Sequence, residues 1–110
     1  MSSAGDAANG PGASRYALSY KRSAKKAVAK IPQRKARERV ENAIEDLASE
    51  PRPPHSKQLK GKHSLYRRID VGGVGGEYRV IYHVRDEELV VVVVIVGPRE
   101  GVYDILKRFG

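Results

Sequence analysis

Residues 66–71 read Tyr-Arg-Arg-Ile-Asp-Val, residues 77–82 read Glu-Tyr-Arg-Val-Ile-Tyr, and residues 89–96 read Leu-Val-Val-Val-Val-Val-Ile-Val. The alternation in the first two stretches and the valine run in the third predict three consecutive β-strands. The glycine-rich segment Gly72–Gly76 is interpreted as a hairpin connection between the first two. A phosphate-binding loop is the alternative, but no Lys-Ser/Thr pair follows this segment and the next element is a strand instead of a helix.

Side-chain parity divides the predicted strands into two faces, because successive residues of a strand point to opposite sides of the sheet. One side of the strand at 77–85 carries apolar and aromatic residues that we expect to face the core: Tyr78, Val80, Tyr82 and Val84. The other side carries Arg79, Ile81 and His83, and the preceding strand contributes Arg68 and Asp70 to it. Parity therefore predicts that Arg68, Arg79 and His83 share one face.

The N-terminal half predicts one strand and two helices. Residues 15–20 alternate with period two, whereas residues 21–31 and 33–49 carry apolar residues at helical spacing on either side of Pro32. The spacing of the last apolar residues predicts a short C-terminal helix or docked tail: Ile105, Leu106 and Phe109. The predicted fold is α+β: a helical hairpin packed on one face of a four-stranded, mainly antiparallel sheet in the order β-α-α-β-β-β, with the other face open.

Composition restricts the class of protein. A chain of 110 residues forms one domain with a modest core, and its net charge of +8 indicates a polyanionic partner: nucleic acid, an anionic membrane surface or an acidic protein. The alternative is a highly charged surface that serves solubility alone. The sequence contains no cysteine, which excludes disulfides and thiolate metal sites.

The ends of the chain complete the domain prediction. Residues 1–14 are small and polar without periodicity, so we predict a disordered leader there and a single folded domain at 15–110. The N-terminus does not resemble a signal peptide, and no apolar run approaches the roughly 20 residues of a membrane span. A cytoplasmic protein without membrane association is therefore expected.

The predicted open face suggests phosphate chemistry. Arg68 and Arg79 share parity, and Arg99 follows the last strand, so three guanidiniums are expected to converge on an anion. Arginine suits phosphate because its planar fork donates two parallel hydrogen bonds and stays charged at neutral pH. Tyr66 and Tyr103 are candidates for stacking on unpaired RNA bases. The simplest reaction for such a site is attack of a ribose 2′-hydroxyl on the adjacent phosphate, which requires no metal ion.

Four motifs, in this order behind a helical hairpin, resemble the RelE-type toxins of bacterial toxin–antitoxin systems, within the RelE/ParE superfamily. They are Gln58-Leu59-Lys60-Gly61, Tyr66-Arg67-Arg68-Ile69, Tyr78-Arg79-Val80-Ile81-Tyr82, and Val96-Gly97-Pro98-Arg99 with Val102-Tyr103. The resemblance implies an mRNA interferase that cleaves mRNA in the ribosomal A site, with contacts to 16S rRNA. It also implies a cognate acidic antitoxin and no cofactor.

The resemblance assigns site residues. The family's catalytic positions fall on Arg79, Arg99 and Tyr103, and a basic strand position falls on Arg68. At a position where some members of the family carry a second basic residue, this chain has Asp70. We expect this acidic residue to weaken the positive potential that attracts phosphate. The Gly72–Gly76 insertion is also longer than the turn usual in the family.

The other candidate RNA contacts have alternative interpretations. Lys57, Lys60 and Lys62 are either ribosomal RNA contacts or part of a solvated loop, and Tyr66 is a candidate stacking platform. His83 is a candidate general base or RNA contact, and a solvated strand histidine is the alternative. No metal site is predicted, because the remaining histidines, His55 and His63, lack acidic or cysteine partners in the sequence.

Two other functions remain open at this level. One is a ParE-like protein that inhibits DNA gyrase by binding it, without chemistry. The other is a basic module that binds RNA or the ribosome and does not cleave.

Overall fold

The computed structural model describes residues 15–108, so the predicted leader and Phe109 lie outside the described residues. One sheet contains β1 (Ala17–Tyr20), β2 (Lys57–Gln58), β3 (Arg67–Val71), β4 (Tyr78–Arg85) and β5 (Val90–Pro98). The helices of the described part are α1 (Arg22–Ala29), α2 (Arg34–Asp46) and α3 (Val102–Lys107), with a 3₁₀ turn at Gly61–His63. The strand order is β1-β5-β4-β3-β2, in which β1 and β5 run parallel and the other pairs antiparallel.

The predicted α+β fold is confirmed, with one strand more than the four predicted. The additional strand, β2, has only two residues and lies in the segment predicted as a loop. It pairs with β3 through Lys57 opposite Arg68. Two residues are too few to show a periodic pattern in the sequence, so this strand is recognised only from its pairing with β3.

The main core lies between the helical hairpin and the sheet. Val40 and Ile44 of α2 pack with Val80 and Tyr82 of β4, and all four are fully buried. The Tyr82 hydroxyl donates a hydrogen bond of 2.7 Å to the carbonyl oxygen of Pro51, which satisfies its polar end. The predicted inward parity of β4 is therefore confirmed.

A second core lies on the opposite face, which the sequence analysis expected to be open. The chain turns after β5, and α3 returns across the sheet to bury five apolar residues that we call the α3 cluster: Ile81, Val94, Ile95, Val102 and Leu106. The register between β4 and β5 shifts at Ile81/Tyr82, consistent with a β-bulge that lets consecutive β5 residues join one cluster. The uncovered surface is therefore smaller than predicted.

The glycine-rich connection folds back onto α2. Gly75 has φ +98°, and a Cβ placed on it would lie 3.0 Å from the Cβ atoms of Ala36 and Gln33. Arg39 of α2 donates a hydrogen bond to the carbonyl oxygen of Val74. The backbone conformation and the close approach both require glycine at position 75, so the loop serves packing against the helix.

A polar network joins the β4–β5 turn to two distant segments. Asp86 accepts hydrogen bonds from the Tyr16 hydroxyl at 2.7 Å and from Arg52 Nη1 and Nη2 at 3.1 and 2.8 Å. The bonds from Arg52, then from Tyr16, lower the pKa of Asp86 to about 2. An unperturbed aspartate has a pKa of about 3.9, so the folded state favours the ionised form.

This shift makes stability depend on pH. Because the folded pKa is depressed, the contribution of Asp86 is complete above about pH 4 to 5 and is lost as the pH falls towards about 2. We expect Asp86→Asn to have a flatter dependence of unfolding free energy on pH than the native protein in this range. Urea unfolding between about pH 2 and pH 5 measures this pH dependence, and Glu87→Gln in the same turn is the control. Parallel pH profiles for the native protein and Asp86→Asn would contradict the assignment.

None of the helices in residues 15–108 is long and apolar enough to cross a membrane.

Candidate functional site

Arg79 and Asp70 form an ion pair across two strands, in which Arg79 is buried and Asp70 is partly exposed. They lie directly opposite each other in the antiparallel pair of β4 and β3. Arg79 Nε donates to Asp70 Oδ1 at 2.5 Å, and Arg79 Nη2 donates to Asp70 Oδ2 at 3.2 Å. Arg79 is only 7% exposed. The hydrogen bond to Asp70 raises the pKa of Arg79, and the same bond lowers the pKa of Asp70.

Two further side chains complete this group. Arg68 Nη1 donates to Asp70 Oδ2 at 2.9 Å, so one carboxylate binds both arginines. The Tyr103 ring of α3 lies against Arg79, with 5.1 Å between the Arg79 Cζ atom and the ring centroid, which is cation–π distance. The structure thus brings together Arg68, Arg79 and Tyr103, and it adds Asp70 at their centre.

A basic pocket of about 380 Å³ adjoins this group. Its lining includes three cations, an imidazole, a phenol and an apolar side chain: Lys57, Lys60, Arg68, His63, Tyr103 and Leu106. Lysine and arginine attract phosphate, and the phenol ring offers a surface for a base. Within residues 15–108, no three His, Asp or Glu side chains lie close enough together to hold a metal ion. The arrangement can therefore bind one or two nucleotides through cations and an aromatic wall.

Three predicted RNA contacts lie outside the pocket lining. Lys62 is exposed on the 3₁₀ turn. Tyr66 is half-buried against the α3 cluster, and its ring meets the His83 ring edge-on with centroids 5.8 Å apart. Burial lowers the pKa of His83, and the charges of Arg85 and Lys21 lower it further. His83 Nδ1 is buried and has no hydrogen-bond partner among the described residues.

Arg99 is not among the residues that line the pocket beside Tyr103. It follows the last residue of β5 and is exposed, and its backbone N–H donates to the carbonyl oxygen of Glu77 at 3.1 Å. It lines a separate surface depression with Glu77, Pro98 and Glu100. The predicted convergence of three guanidiniums is therefore seen for Arg68 and Arg79, whereas Arg99 lines a different part of the surface.

Sequence reasoning overlooked part of this site. Gln58 and Leu106 line the pocket, and His63 was considered only as a metal ligand. Lys57 was a candidate RNA contact, and the strand β2, which was not predicted, places it opposite Arg68 in the pocket. Asp70 was interpreted as a lost cation, whereas the six residues that connect Val71 to Tyr78 place Asp70 directly opposite Arg79.

Comparison with known protein families finds a match over most of the chain. A family model described as the ParE toxin of the parDE type II toxin–antitoxin system matches residues 18–103. Among curated protein sequences, none matches the chain.

Several solved structures share the fold. A mutant of the Escherichia coli toxin RelE in the free state has a TM-score of 0.68 and 29% sequence identity, and the match covers 87% of this chain and 99% of that chain. The toxin–antitoxin complex RelBE2 from Mycobacterium tuberculosis matches with a TM-score of 0.62 and 28% identity, covering 78% and 93%. The intact E. coli RelBE complex matches with a TM-score of 0.60 and 26% identity, covering 76% and 95%.

Proposed function

Because the chain belongs to the ParE toxin family of type II toxin–antitoxin systems, within the RelE/ParE superfamily of toxins, we propose that it is a ribosome-dependent endoribonuclease. It cleaves mRNA in the A site and so inhibits translation. The observation that carries the proposal is the contact of Arg79 with Tyr103 beside a pocket lined by cations. The similarity to RelE toxins supports the same activity.

The proposed reaction uses the nucleophile that RNA itself supplies. The 2′-hydroxyl loses its proton to solvent as its oxygen bonds to the adjacent phosphorus, and a pentacoordinate phosphorane forms. The bond from phosphorus to the 5′ oxygen then breaks, and that oxygen takes up a proton from solvent, which leaves a 2′,3′-cyclic phosphate and a 5′-hydroxyl. Arg79 stabilises the charge of the phosphorane, because pairing of β4 with β3 and the Tyr103 ring hold its guanidinium in place before that charge develops. Tyr103 orients the reacting nucleotide through its ring and its hydroxyl. No metal ion takes part in this mechanism, since the cations of the chain provide the charge stabilisation.

The remaining cations hold the substrate. Arg68 and Lys60, with Lys57, bind the phosphates on either side of the reacting bond, because all three line the pocket that Tyr103 closes. Arg99 and Lys62 lie farther out on the surface and contact the mRNA or 16S rRNA. Tyr66 and His83 support the pocket from the α3 cluster side, where the two rings pack against each other.

The proposal includes an antitoxin partner. The chain carries a net charge of +8, and the RelE proteins of E. coli and M. tuberculosis form complexes with an antitoxin. An acidic antitoxin would neutralise the basic surface of this chain and cover the pocket.

Inhibition of DNA gyrase is the second candidate function. It is favoured by the ParE family model and by Asp70, which neutralises charge that RNA cleavage needs. A gyrase supercoiling assay with the purified protein tests it. Inhibition of supercoiling at concentrations that leave mRNA intact would select this function over cleavage.

Toeprinting on translating ribosomes tests the proposed cleavage. We expect a new 3′ boundary within the A-site codon that depends on both the protein and the ribosome. Adding the protein to the same mRNA without ribosomes is the control and is expected to leave it intact. An unchanged toeprint pattern at saturating protein would overturn the proposal, and salt-dependent ribosome binding without cleavage would identify a non-catalytic binding module instead.

A further inference from the structure

Asp70 holds an unusual position for a carboxylate in a basic site. It accepts three hydrogen bonds from two guanidiniums, and its side chain is 36% exposed while the Arg79 side chain is 8% exposed. The carboxylate is therefore the partner of this ion pair that is more accessible to solvent. Summed over Arg68, Arg79 and Asp70, the charge is +1 instead of +2.

We propose that Asp70 is an internal competitor for RNA phosphate: its carboxylate occupies the anion site formed by Arg79 and Arg68, and a phosphate must displace it to bind there. The inference rests on the proposed function only in taking the competing anion to be a phosphate of RNA. It identifies a residue of this chain that lowers RNA affinity instead of raising it.

The geometry of the pair supports competition. An arginine fork binds carboxylate and phosphate through the same two parallel N–H···O bonds, so the two anions exclude each other. Asp70 already uses the Nε and Nη2 donors of Arg79, and the Tyr103 ring lies over the guanidinium. A phosphate that approaches with Asp70 in place meets only the remaining Nη1 edge and the carboxylate charge.

The sheet fixes Asp70 in this role. Asp70 and Arg79 face each other in the ladder of β3 and β4, so strand pairing keeps the carboxylate beside the guanidinium. Because the Asp70 side chain is partly exposed, rotation about its own bonds is sufficient to release the arginines without moving a strand. The anion site is thus present in the folded protein and filled by the protein itself.

Binding of RNA to charge variants tests the proposal. The probe is a short fluorescent single-stranded RNA with 2′-O-methyl riboses, which binds but lacks the nucleophile for cleavage. We expect Asp70→Asn to bind about fivefold more tightly at 0.1 M salt. Each phosphate neutralised on a single strand adds about 0.7 to the slope of log affinity against log salt concentration, which is about fivefold for a tenfold change in salt. Asp70→Glu keeps the negative charge and is expected to bind like the native protein.

Glu87→Gln is the matched control, because it changes net charge equally and lies in the turn at the far end of β4. Its effect is expected to stay below about twofold, since charges farther apart than the Debye length of about 10 Å at 0.1 M salt are screened. Equal affinities and salt slopes for Asp70→Asn and Glu87→Gln would overturn the proposal. Circular dichroism and thermal unfolding confirm that each variant is folded.

A second measurement uses inorganic phosphate and needs no RNA. The Arg79 Nε–H signal in NMR spectra, identified by its loss in Arg79→Lys, is expected to move at a lower phosphate concentration in Asp70→Asn than in the native protein, where phosphate must displace the carboxylate. Equal phosphate midpoints in the two proteins, or a signal that moves in neither, would overturn the proposal. Neither measurement records cleavage. A failure of the toeprinting test would therefore reject the proposed function without affecting the conclusion about Asp70.

Discussion

Arg79→Ala is expected to slow mRNA cleavage on programmed ribosomes by about 100- to 1,000-fold, the loss seen when one preorganised donor to a developing oxyanion is removed. The reason is specific to the site. Arg79 is almost fully buried and lies against the Tyr103 ring, so its charge acts at short range with little screening by water. Single-turnover cleavage of a defined mRNA, followed at saturating protein, measures the rate of the chemical step.

The chain provides a matched control for this variant. Arg85 lies on the same strand and, by alternation, on the same face, but it is exposed and pairs with Glu88 at 3.0 Å at the far end. Arg85→Ala is expected to change the rate less than twofold. Arg79→Ala leaves Asp70 paired with Arg68, so the variant does not bury an unpaired carboxylate. A folded Arg79→Ala that cleaves at the native rate would remove Arg79 from the mechanism.

Tyr103→Phe refines the same experiment. It removes the hydroxyl and retains the ring that lies against Arg79. A loss of cleavage with unchanged RNA affinity assigns the hydroxyl to the reaction, whereas native cleavage restricts Tyr103 to stacking.

Ile81→Ala is expected to lower the unfolding free energy by about 2–5 kcal/mol, the range for removing a buried isoleucine side chain. Ile81 is fully buried in the α3 cluster, where it packs with Val102 and Leu106. A cavity there also loosens α3, which carries Tyr103. Urea unfolding at neutral pH measures the change, and the same variant is expected to lose cleavage because Tyr103 is no longer held.

Ile105→Ala is the control, since the same residue type on α3 is 37% exposed. Its effect is expected to stay within about 0.5 kcal/mol, as for surface substitutions in general. An Ile81→Ala variant as stable as Ile105→Ala would mean that α3 does not pack on the sheet, and the site built on that contact would have to be abandoned.

Local pattern was sufficient for most of the fold. Alternation at 77–85 predicted which side of β4 enters the main core, and Tyr82 and Val80 are indeed fully buried there. Helical spacing on either side of Pro32 predicted the hairpin of α1 and α2. These predictions succeeded because periodicity expresses which face of an element is removed from water, and that information is contained within each element.

The same reasoning failed where a residue's environment comes from a distant segment. Side-chain parity correctly predicted that Ile81 faces away from the helical hairpin. It did not reveal that α3 packs over Ile81 on the opposite face. Likewise, the sequence offered Lys57 as a candidate RNA contact, but only the two-residue strand β2 places it opposite Arg68 in the pocket.

The sequence by itself determined the fold class, the inward and outward faces of the long strands, and the basic character that indicates a polyanionic partner. Only the tertiary structure decided which charges remain available to that partner. Composition counts Arg68 and Arg79 as two cations, yet the carboxylate of Asp70 accepts hydrogen bonds from both of them. The turn of the chain after β5 then places the Tyr103 ring against Arg79. Charge is a property of each residue, whereas its effect depends on distance and burial, which the folded chain alone sets.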